Sequence, residues 1–182
     1  KANSLSGPLQ VLSFSGLNNL EVVELSENSI SGTLDAWFFL LPKIQQFNLS
    51  NNTLTRVNVP KPGKDSGLVA ADLGFNRIEG PVPENFPGYP ALSSLSLRHN
   101  RLRGVIPLAY SQKKSLRRLF LDGNYLIGKP PAGLFSGGGP VAGSLGDNCL
   151  EGCPGSSQLC APSQKPTAIC KQAYGGKGKP RS

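Results

Sequence analysis

Leucines and other aliphatic residues recur along the chain in a fixed pattern that alternates with polar positions. The pattern is Leu-x-x-Leu-x-Leu-x-x-Asn-x-Leu; it first appears complete at Leu20 and starts again every 24 residues. Apolar residues at alternate positions predict a short strand with one buried face, because successive side chains of a strand point to opposite sides. Five segments follow the pattern: 20–30, 44–54, 68–78, 92–102 and 116–126.

Such a regular period indicates a leucine-rich repeat solenoid in which each coil stacks on the next. One coil cannot bury its own leucines, so neighbouring coils must share a core, with their strands side by side in a parallel sheet. The repeated asparagine points inward, where its amide requires hydrogen bonds to the backbone of adjacent turns. We therefore expect a structural ladder made by Asn28, Asn52, Asn76, Asn100, Asn124 and Asn148.

A second pattern follows the asparagine in most coils and contains a glycine. It reads Ile78-Glu-Gly-Pro-Val-Pro83 in one coil and Leu102-Arg-Gly-Val-Ile-Pro107 in the next. From residue 3 to about residue 150, the chain resembles the plant-specific extracellular leucine-rich repeats of receptor-like kinases, receptor-like proteins and polygalacturonase-inhibiting proteins. The resemblance implies a curved right-handed coil, with a parallel β-sheet on the concave face and 3-10 or loop segments on the convex face. The second coil lacks the glycine over residues 55–67, where we expect a looser basic loop.

The repeats divide the chain into four predicted parts. Residues 1–19 would form a partial N-terminal repeat without the cysteine-containing cap that the resembling family usually has. Residues 20–139 would hold five repeats of 24 residues, and residues 140–174 a degenerate repeat with a cysteine-rich C-terminal cap. Residues 175–182 are expected to form a flexible basic tail.

All the cysteines lie in the part that we expect to cap the solenoid, namely Cys149, Cys153, Cys160 and Cys170. In an extracellular chain such a local group indicates two disulfides. A zinc site is the rival, but the spacing lacks paired Cys-x-x-Cys motifs and no histidine is near in the sequence. Three pairings remain open, of which we favour Cys153–Cys160 nested within Cys149–Cys170. The resembling family also uses cysteine pairs in its caps.

Charge is distributed unevenly between the two halves of the chain. Residues 1–97 carry six Lys or Arg and eight Asp or Glu, whereas residues 98–182 carry thirteen and three. The outward positions of the predicted sheet follow this trend, so its face begins acidic and ends basic. Phe75 and Phe120 also occupy outward positions, and exposed aromatics beside arginines are typical of binding hot spots. The candidate binding residues are Phe75, Arg98, His99, Arg117, Arg118, Phe120 and Asp122.

Two N-glycosylation sequons occur in the second coil, one at Asn48-Leu-Ser50 and one at Asn51-Asn-Thr53. Together with the cysteines they favour a secreted protein. A sugar on Asn48 would sit on the concave sheet and block its middle. It would direct a ligand toward the arginines of the later coils.

Motifs for catalysis are missing from the sequence. The single histidine, His99, is expected near the edge of the sheet without a partner that orients it. Asp122 aligns with Arg98 in the repeat register, and a surface pair between these two is the alternative to a binding role. Glu24 and Asp72 share a column two coils apart, but an asparagine lies between them. No phosphate-binding loop, dinucleotide motif or metal cluster occurs, so we predict no enzyme, no cofactor and no metal site.

We therefore interpret the chain as a non-enzymatic extracellular binding module of a plant receptor-like or secreted cell-wall protein. Its partner would be a peptide or protein, or an acidic wall polysaccharide, since excess positive charge favours an anionic partner. The signs of secretion argue against nucleic acid. No apolar run approaches the about 20 residues of a membrane span, so membrane attachment would lie outside this chain. The protein would act in the apoplast, in the cell wall or at the outer face of the plasma membrane.

Two alternative functions are retained. The first, inhibition of a cell-wall polygalacturonase, rests on the resemblance alone. The second is self-assembly through the uncapped N-terminal end that bears Leu5, Leu9 and Leu12, because unpaired strands with exposed leucines promote association. A fragment of a longer chain would also explain such an end.

Overall fold

The computed structural model describes residues 4–10 and 16–175, which form a parallel β-solenoid. Its strands, numbered β1 to β13 along the chain, fall into one long sheet and two shorter ones. The fold class predicted from the repeat is thus confirmed. Leu12 and the tail beyond residue 175 lie outside the described residues.

The long sheet, here called the groove sheet, has six parallel strands in the order of the coils. Each strand pairs with the next at a shift of one period, so that Phe47 lies beside Ala71 and Ala71 beside Leu95. Residues one period apart are therefore neighbours across the sheet. The strands are β2 (Val22–Glu24), β4 (Gln46–Asn48), β6 (Ala70–Asp72), β8 (Ser94–Ser96), β10 (Arg118–Phe120) and β12 (Ala142–Ser144).

The leucine pattern supplies a core that all coils share. In β8, for example, Leu95 and the following Leu97 are both fully buried. Burying one such side chain contributes about 2 kcal/mol relative to leaving it exposed. The buried cluster continues from Val23 to Leu150 and runs the length of the sheet.

The repeated asparagines line up beneath the groove sheet as a ladder of side-chain amides. Asn100 Nδ2 donates to the backbone oxygens of Leu97 and Arg98 in its own coil and of Leu73 in the preceding coil, at 3.0–3.2 Å. Its Oδ1 accepts the backbone N–H of Ile78 at 3.0 Å. One buried amide thus satisfies backbone groups of two coils. Equivalent contacts are made by Asn52, Asn76, Asn124 and Asn148.

Two shorter parallel sheets, here called the flank sheets, form after the asparagine of each coil, and sequence analysis did not anticipate them. The glycine of the second pattern lies within most of these strands at positive φ, for example +94° at Gly80 and +83° at Gly104. Glycine adopts this left-handed conformation without a steric penalty. One sheet contains β1 (Ser6–Pro8), β3 (Ser29–Leu34) and β5 (Thr53–Val57), and the other contains β7 (Glu79–Pro81), β9 (Arg101–Gly104), β11 (Tyr125–Gly128) and β13 (Cys149–Leu150).

The two flank sheets are separate because the second coil lacks the glycine. Arg56 stands in its place, and a side chain there disfavours the left-handed turn. The strand β5 extends to Val57, just as its partner β3 extends past Gly32 to Leu34, and the two pair with a register shift. Residues 55–57 of the expected loop therefore belong to a strand, and β5 does not pair with β7.

The coils close through short turns with an aromatic core beneath them. Phe39 packs edge-on against Phe47 and Phe86, with ring centres 5.6 and 5.9 Å apart. Tyr89 Oη donates to the carbonyl of Pro60 at 2.9 Å and joins two coils. Burial raises the pKa of Tyr89 to about 12. The turns are two short helices, α1 (Ala36–Phe39) and α2 (Ala109–Gln112), and 3-10 turns at Phe86–Gly88 and Ala132–Leu134.

The C-terminal segment covers the last coil. Leu145 N–H donates to Leu159 O, and Asp147 N–H to Ser163 O at 3.1 Å, so residues 159–163 run along the end of the groove sheet. A 3-10 turn at Gln158–Cys160 begins this segment, and the helix α3 (Thr167–Tyr174) follows it. Two disulfides, Cys149–Cys170 and Cys153–Cys160, fix the segment in the nested pairing that we favoured.

Candidate functional site

The outward positions of the groove sheet line an open groove of about 540 Å³. These positions alternate with core residues along each strand, and the register of the coils aligns them in columns across the sheet. Each coil therefore contributes one side chain to each column, and these side chains determine the charge and polarity of the groove. Its floor includes Gln46, Asn48, Ala70, Asp72, Ser94 and Ser96.

Carboxylates mark the half of the groove formed by β2, β4 and β6, with Glu24 at its end and Asp72 on its middle strand. Glu24 Oε1 accepts hydrogen bonds from the hydroxyl and the backbone N–H of Ser26, and Oε2 accepts one from Asn48 Nδ2 at 3.2 Å. The Ser26 hydroxyl is the main cause that holds the pKa of Glu24 below its ordinary value. Asp72 Oδ1 accepts the backbone N–H of Gly74 at 2.9 Å. This half of the groove is thus negative, and its side chains are held in place by local hydrogen bonds.

Arginines mark the other end of the groove. Arg98 donates from Nη2 and Nε to Asp122 Oδ2, at 2.8 and 3.2 Å. Its Cζ lies 4.7 Å from the ring centre of Phe120, and the Cζ of Arg118 lies 5.6 Å from the same centre. Each cation–π contact of this kind contributes about 0.5–1 kcal/mol at an exposed site. The arginines are therefore preorganised on an aromatic ring.

The absence of a side chain at Gly74 leaves the space through which the Arg98 side chain runs along the sheet. A Cβ at this position would lie 3.0 Å from Arg98 Cγ and 3.1 Å from Asp72 Oδ1. Any larger residue would therefore displace the arginine side chain or the carboxylate.

Phe75 and His99 lie on the rim of the groove, in equivalent positions of neighbouring coils. Their rings stack with centres 4.6 Å apart and an angle of 12° between planes. The imidazole also covers Gly123, where a Cβ would lie 2.6 Å from His99 Nδ1, and its Nε2 is 3.6 Å from Asp122 Oδ2. The expectation that no partner orients His99 is therefore wrong.

The structure separates the predicted binding residues into two groups. Phe75, Arg98, Arg118 and Phe120 line the groove. His99, Arg117 and Asp122 do not belong to its lining.

Two of these residues differ from their predicted environment. Asp122 is only 3% exposed, so it positions Arg98 instead of meeting a ligand, and the expected surface pair is a largely buried one on the aspartate side. Phe120 is half-buried under the arginines, although we expected an exposed ring. Arg98 contributes to both differences, since it lies over the Phe120 ring and pairs with Asp122.

Sequence reasoning did not assign Asn48 a role in the groove beyond a possible sugar site. Its amide joins the acidic end, since Nδ2 donates to Glu24 and Oδ1 accepts the Ser50 N–H at 3.0 Å. The sequence could have indicated this role, because the repeat register places Asn48 between Glu24 and Asp72 in one column.

The described residues contain no group of three or more His, Cys, Asp or Glu side chains that could hold a metal ion. Across the same ranges, the helices are too short or too polar for one of them to traverse a bilayer. The two partnerless buried side-chain atoms are Ser96 Oγ and Asp122 Oδ1, counted over the described chain. A catalytic serine requires a base within hydrogen-bond reach, and Ser96 has none.

Comparison with known proteins gives concordant matches. The leucine rich repeat family model matches residues 3–54 and 67–126, and the unmatched interval falls on the irregular second coil. The chain is 35% identical over 122 residues to the calmodulin-binding receptor kinase CaMRLK of Arabidopsis thaliana, covering 65% of this chain and 18% of the relative. It is 33% identical over 114 residues to receptor-like protein 7 of the same plant, covering 62% of this chain and 11% of the relative. The chain thus spans less than a fifth of the length of these relatives.

Among solved structures, the PEPR1–AtPEP1 crystal structure matches with a TM-score of 0.70 and 30% identity. The match covers 81% of this chain and 21% of that one. Most of this chain therefore corresponds to about a fifth of the matched protein.

Proposed function

The chain belongs to the leucine-rich repeat family, and from this premise we propose that it is a non-enzymatic extracellular module that binds a short extended peptide in its groove. The reversal of charge along the groove carries the proposal. Glu24 lies at one end of the groove and Asp72 on its middle strand, whereas Arg98 and Arg118 belong to the two coils that follow. A ligand with a basic and an acidic end would pair with both, in one orientation only.

The dimensions of the groove fit a peptide of about six residues. Glu24 and Phe120 occupy the same column four strands apart, which corresponds to about 19 Å at a strand spacing of about 4.8 Å. An extended chain rises about 3.3 Å per residue and covers that distance in about six residues. The PEPR1 structure, solved with AtPEP1, is a precedent for a ligand on this fold.

The extracellular part of the proposal rests on the two disulfides of the cap and on the two sequons. Such disulfides persist in oxidising compartments. The non-enzymatic part rests on the groove chemistry, since its Ser96 lacks a base and its carboxylates are engaged in local hydrogen bonds.

A hexapeptide library tests the proposal, with Lys or Arg placed near one end and Asp or Glu near the other. We expect such peptides to bind the purified chain, and all-acidic or all-basic peptides to bind more weakly. Arg118→Glu should weaken the best binder about tenfold or more, since a lost ion pair that becomes repulsive costs at least about 1.4 kcal/mol. Isothermal titration calorimetry measures the loss.

Arg77→Glu is the matched control, because Arg77 is exposed and lies outside the groove lining. It makes the same change in net charge and should leave the affinity unchanged. Equal losses in the two variants would contradict a specific groove contact. Oligogalacturonate is the second probe: if it binds through Arg118 while no peptide does, the groove serves a wall polysaccharide instead.

A further inference from the structure

Residues 51, 75 and 99 occupy equivalent positions in successive coils, and all three have a φ between +51° and +55°. Their side chains therefore leave the backbone in the same direction along the rim of the groove. The stacked rings of Phe75 and His99 are 4.6 Å apart, which matches the strand spacing of about 4.8 Å. The ring planes thus lie across the solenoid axis. His99 covers one face of Phe75, and the other face points to the coil of Asn51.

Both side chains at this point of the rim are accessible. Phe75 is 46% exposed, and Asn51 is exposed as well. Within residues 4–10 and 16–175, the side-chain amide of Asn51 makes no hydrogen bond. The backbone N–H of the same residue donates to Gly74 O at 3.0 Å. An unpaired sequon amide therefore lies one coil away from an open aromatic face.

We propose that Asn51 carries an N-linked glycan, and that its innermost N-acetylglucosamine packs on the open face of Phe75. The sugar ring has an apolar face of C–H groups, which suits the negative face of an aromatic ring. At one coil spacing, a ring attached to Asn51 Nδ2 lies beside the Phe75 ring. The glycan would extend the stack that Phe75 and His99 already form.

The modification replaces one N–H bond of the Asn51 amide. Nδ2 loses a proton and forms a bond to the anomeric carbon of the sugar, while the bond from that carbon to a polyprenyl diphosphate breaks. The diphosphate leaves with the bonding electrons. The oligosaccharyltransferase of the secretory pathway catalyses this step, and the lipid-linked oligosaccharide is the co-reactant.

The neighbouring sequon at Asn48 is not suited to a sugar in the folded protein. Asn48 is half-buried on the floor of the groove, and both ends of its amide are engaged, with Glu24 and with the Ser50 N–H. Ser50 itself is buried. A sugar on Asn48 would occupy the floor of the groove between Glu24 and Asp72, whereas a sugar on Asn51 would lie at the rim. The inference rests on the proposed function in that it requires the secretory route.

Peptide mapping by mass spectrometry is the first test, on the chain secreted from plant cells. We expect a glycan on Asn51 and an unmodified Asn48. Occupancy of Asn48 alone, or of neither site in cells that glycosylate a co-secreted reporter, would overturn the proposal.

Thermal unfolding tests the stacking by a cycle of Asn51→Gln and Phe75→Ala, which cancels the intrinsic cost of each substitution. We expect the glycan to raise Tm by about 2 °C when Phe75 is present, since an aromatic contact of this size shifts a chain of this length by about that amount. With alanine at position 75, the glycan should have almost no effect. Trimming to a single N-acetylglucosamine should preserve the gain.

Val22→Ala is the control, because Val22 is an exposed apolar residue of another coil. Its effect on Tm should be the same with and without the glycan. If Phe75→Ala also has the same effect in both forms, the stacking is wrong. These measurements need no ligand, so a failure of peptide binding does not affect them, and a failure of the stacking leaves the peptide test intact.

Discussion

The repeat coils and the C-terminal cap satisfy the same backbone groups by different means. In the coils, Asn124 accepts the Leu102 N–H and donates to Leu97 O of the preceding coil. At the end of the solenoid, Gln164 takes this role. Its Oε1 accepts the Leu150 N–H at 3.2 Å, and its Nε2 donates to Leu145 O at 3.2 Å.

The difference shows what periodicity can and cannot provide. An inner coil has a neighbour on each side, so one asparagine per period is sufficient to satisfy the backbone. The last coil has no further repeat behind it, and the chain must return to cover it. Gln164 follows Asn148 by only 16 residues instead of a full period. The disulfides hold this non-periodic segment in place.

Breaking the ladder in the middle should have the largest effect. Asn100→Ala leaves the buried Ile78 N–H without a partner and removes one of the two hydrogen bonds that each of the oxygens of Leu73, Leu97 and Arg98 accepts. Since an unsatisfied buried N–H costs about 1–3 kcal/mol and each further lost hydrogen bond about 0.5–1.5 kcal/mol, we expect a loss of about 4 kcal/mol in the free energy of unfolding. Urea unfolding measures it.

Asn28→Ala is the matched control, since Asn28 is half-buried and, among the residues that the structure describes, its Oδ1 accepts only the Leu5 N–H, at 3.2 Å. Its loss should be less than half as large. Equal losses would show that the ladder does not depend on burial.

Breaking the longer disulfide should have the next largest effect. The Cys149–Cys170 bond closes a loop of 21 residues, for which the chain-entropy relation gives about 3 kcal/mol. Replacing both cysteines by alanine should lower the free energy of unfolding by about that amount. The pair Cys153 and Cys160, only seven residues apart, should cost about 2 kcal/mol. The reverse order would contradict an entropic role.

Gln164→Ala should cost about 2 kcal/mol, since it leaves the Leu150 N–H and the Leu145 carbonyl without this partner. The effect should be smaller than that of Asn100→Ala because Gln164 is half-buried and the cap can relax around it. Gln158→Ala, an exposed glutamine of the same segment, is the control and should be neutral. Hydrogen exchange of the Leu150 amide is a second readout, and an unchanged rate would contradict the role of Gln164.

The period predicted the coils, the groove sheet and the asparagine positions because every inner coil has the same surroundings. The flank sheets were missed because the second pattern was read only as a family signature. Its glycine occurs within a strand at Gly80, where the left-handed conformation still permits pairing. The absence of the glycine at Arg56 was visible in the sequence, but the separation of the two flank sheets at that coil was not predicted.

The sequence predicted which residues of the candidate site are neighbours across the sheet, but it did not predict how deeply each of them is buried. Register alone places Arg98 beside Asp122, and the structure confirms this neighbourhood. The burial of Asp122 depends on non-periodic chain: the next position in its column, Gly146, is packed against Pro162 of the cap. The stack of Phe75 on His99 was available from the register, since both follow their strand leucine by two residues.

The smallest predicted effect concerns a turn that the coils and the cap share. After β2, the first strand of the groove sheet, the Ser26 N–H donates to Glu24. After β12, the last strand of that sheet, the Gly146 N–H donates to Ser144 Oγ at 3.3 Å. The Ser26 hydroxyl adds the main contribution that lowers the pKa of Glu24 from 4.5. Because the folded pKa is the lower one, this contribution to stability is present above pH 4.5 and is lost as the pH falls through the lowered value.

Ser26→Ala should therefore return the pKa of Glu24 toward 4.5, with almost no change in stability at neutral pH. NMR titration of the Glu24 side-chain carboxyl measures the shift. Ser50→Ala, the same change one coil later beside the uncharged Asn48, should leave that pKa where it is. If Ser26→Ala also leaves the pKa of Glu24 unchanged, the backbone N–H of residue 26 is sufficient to hold the carboxylate. The turn of the first coil would then depend on a backbone hydrogen bond alone, as the turn at Gly146 does.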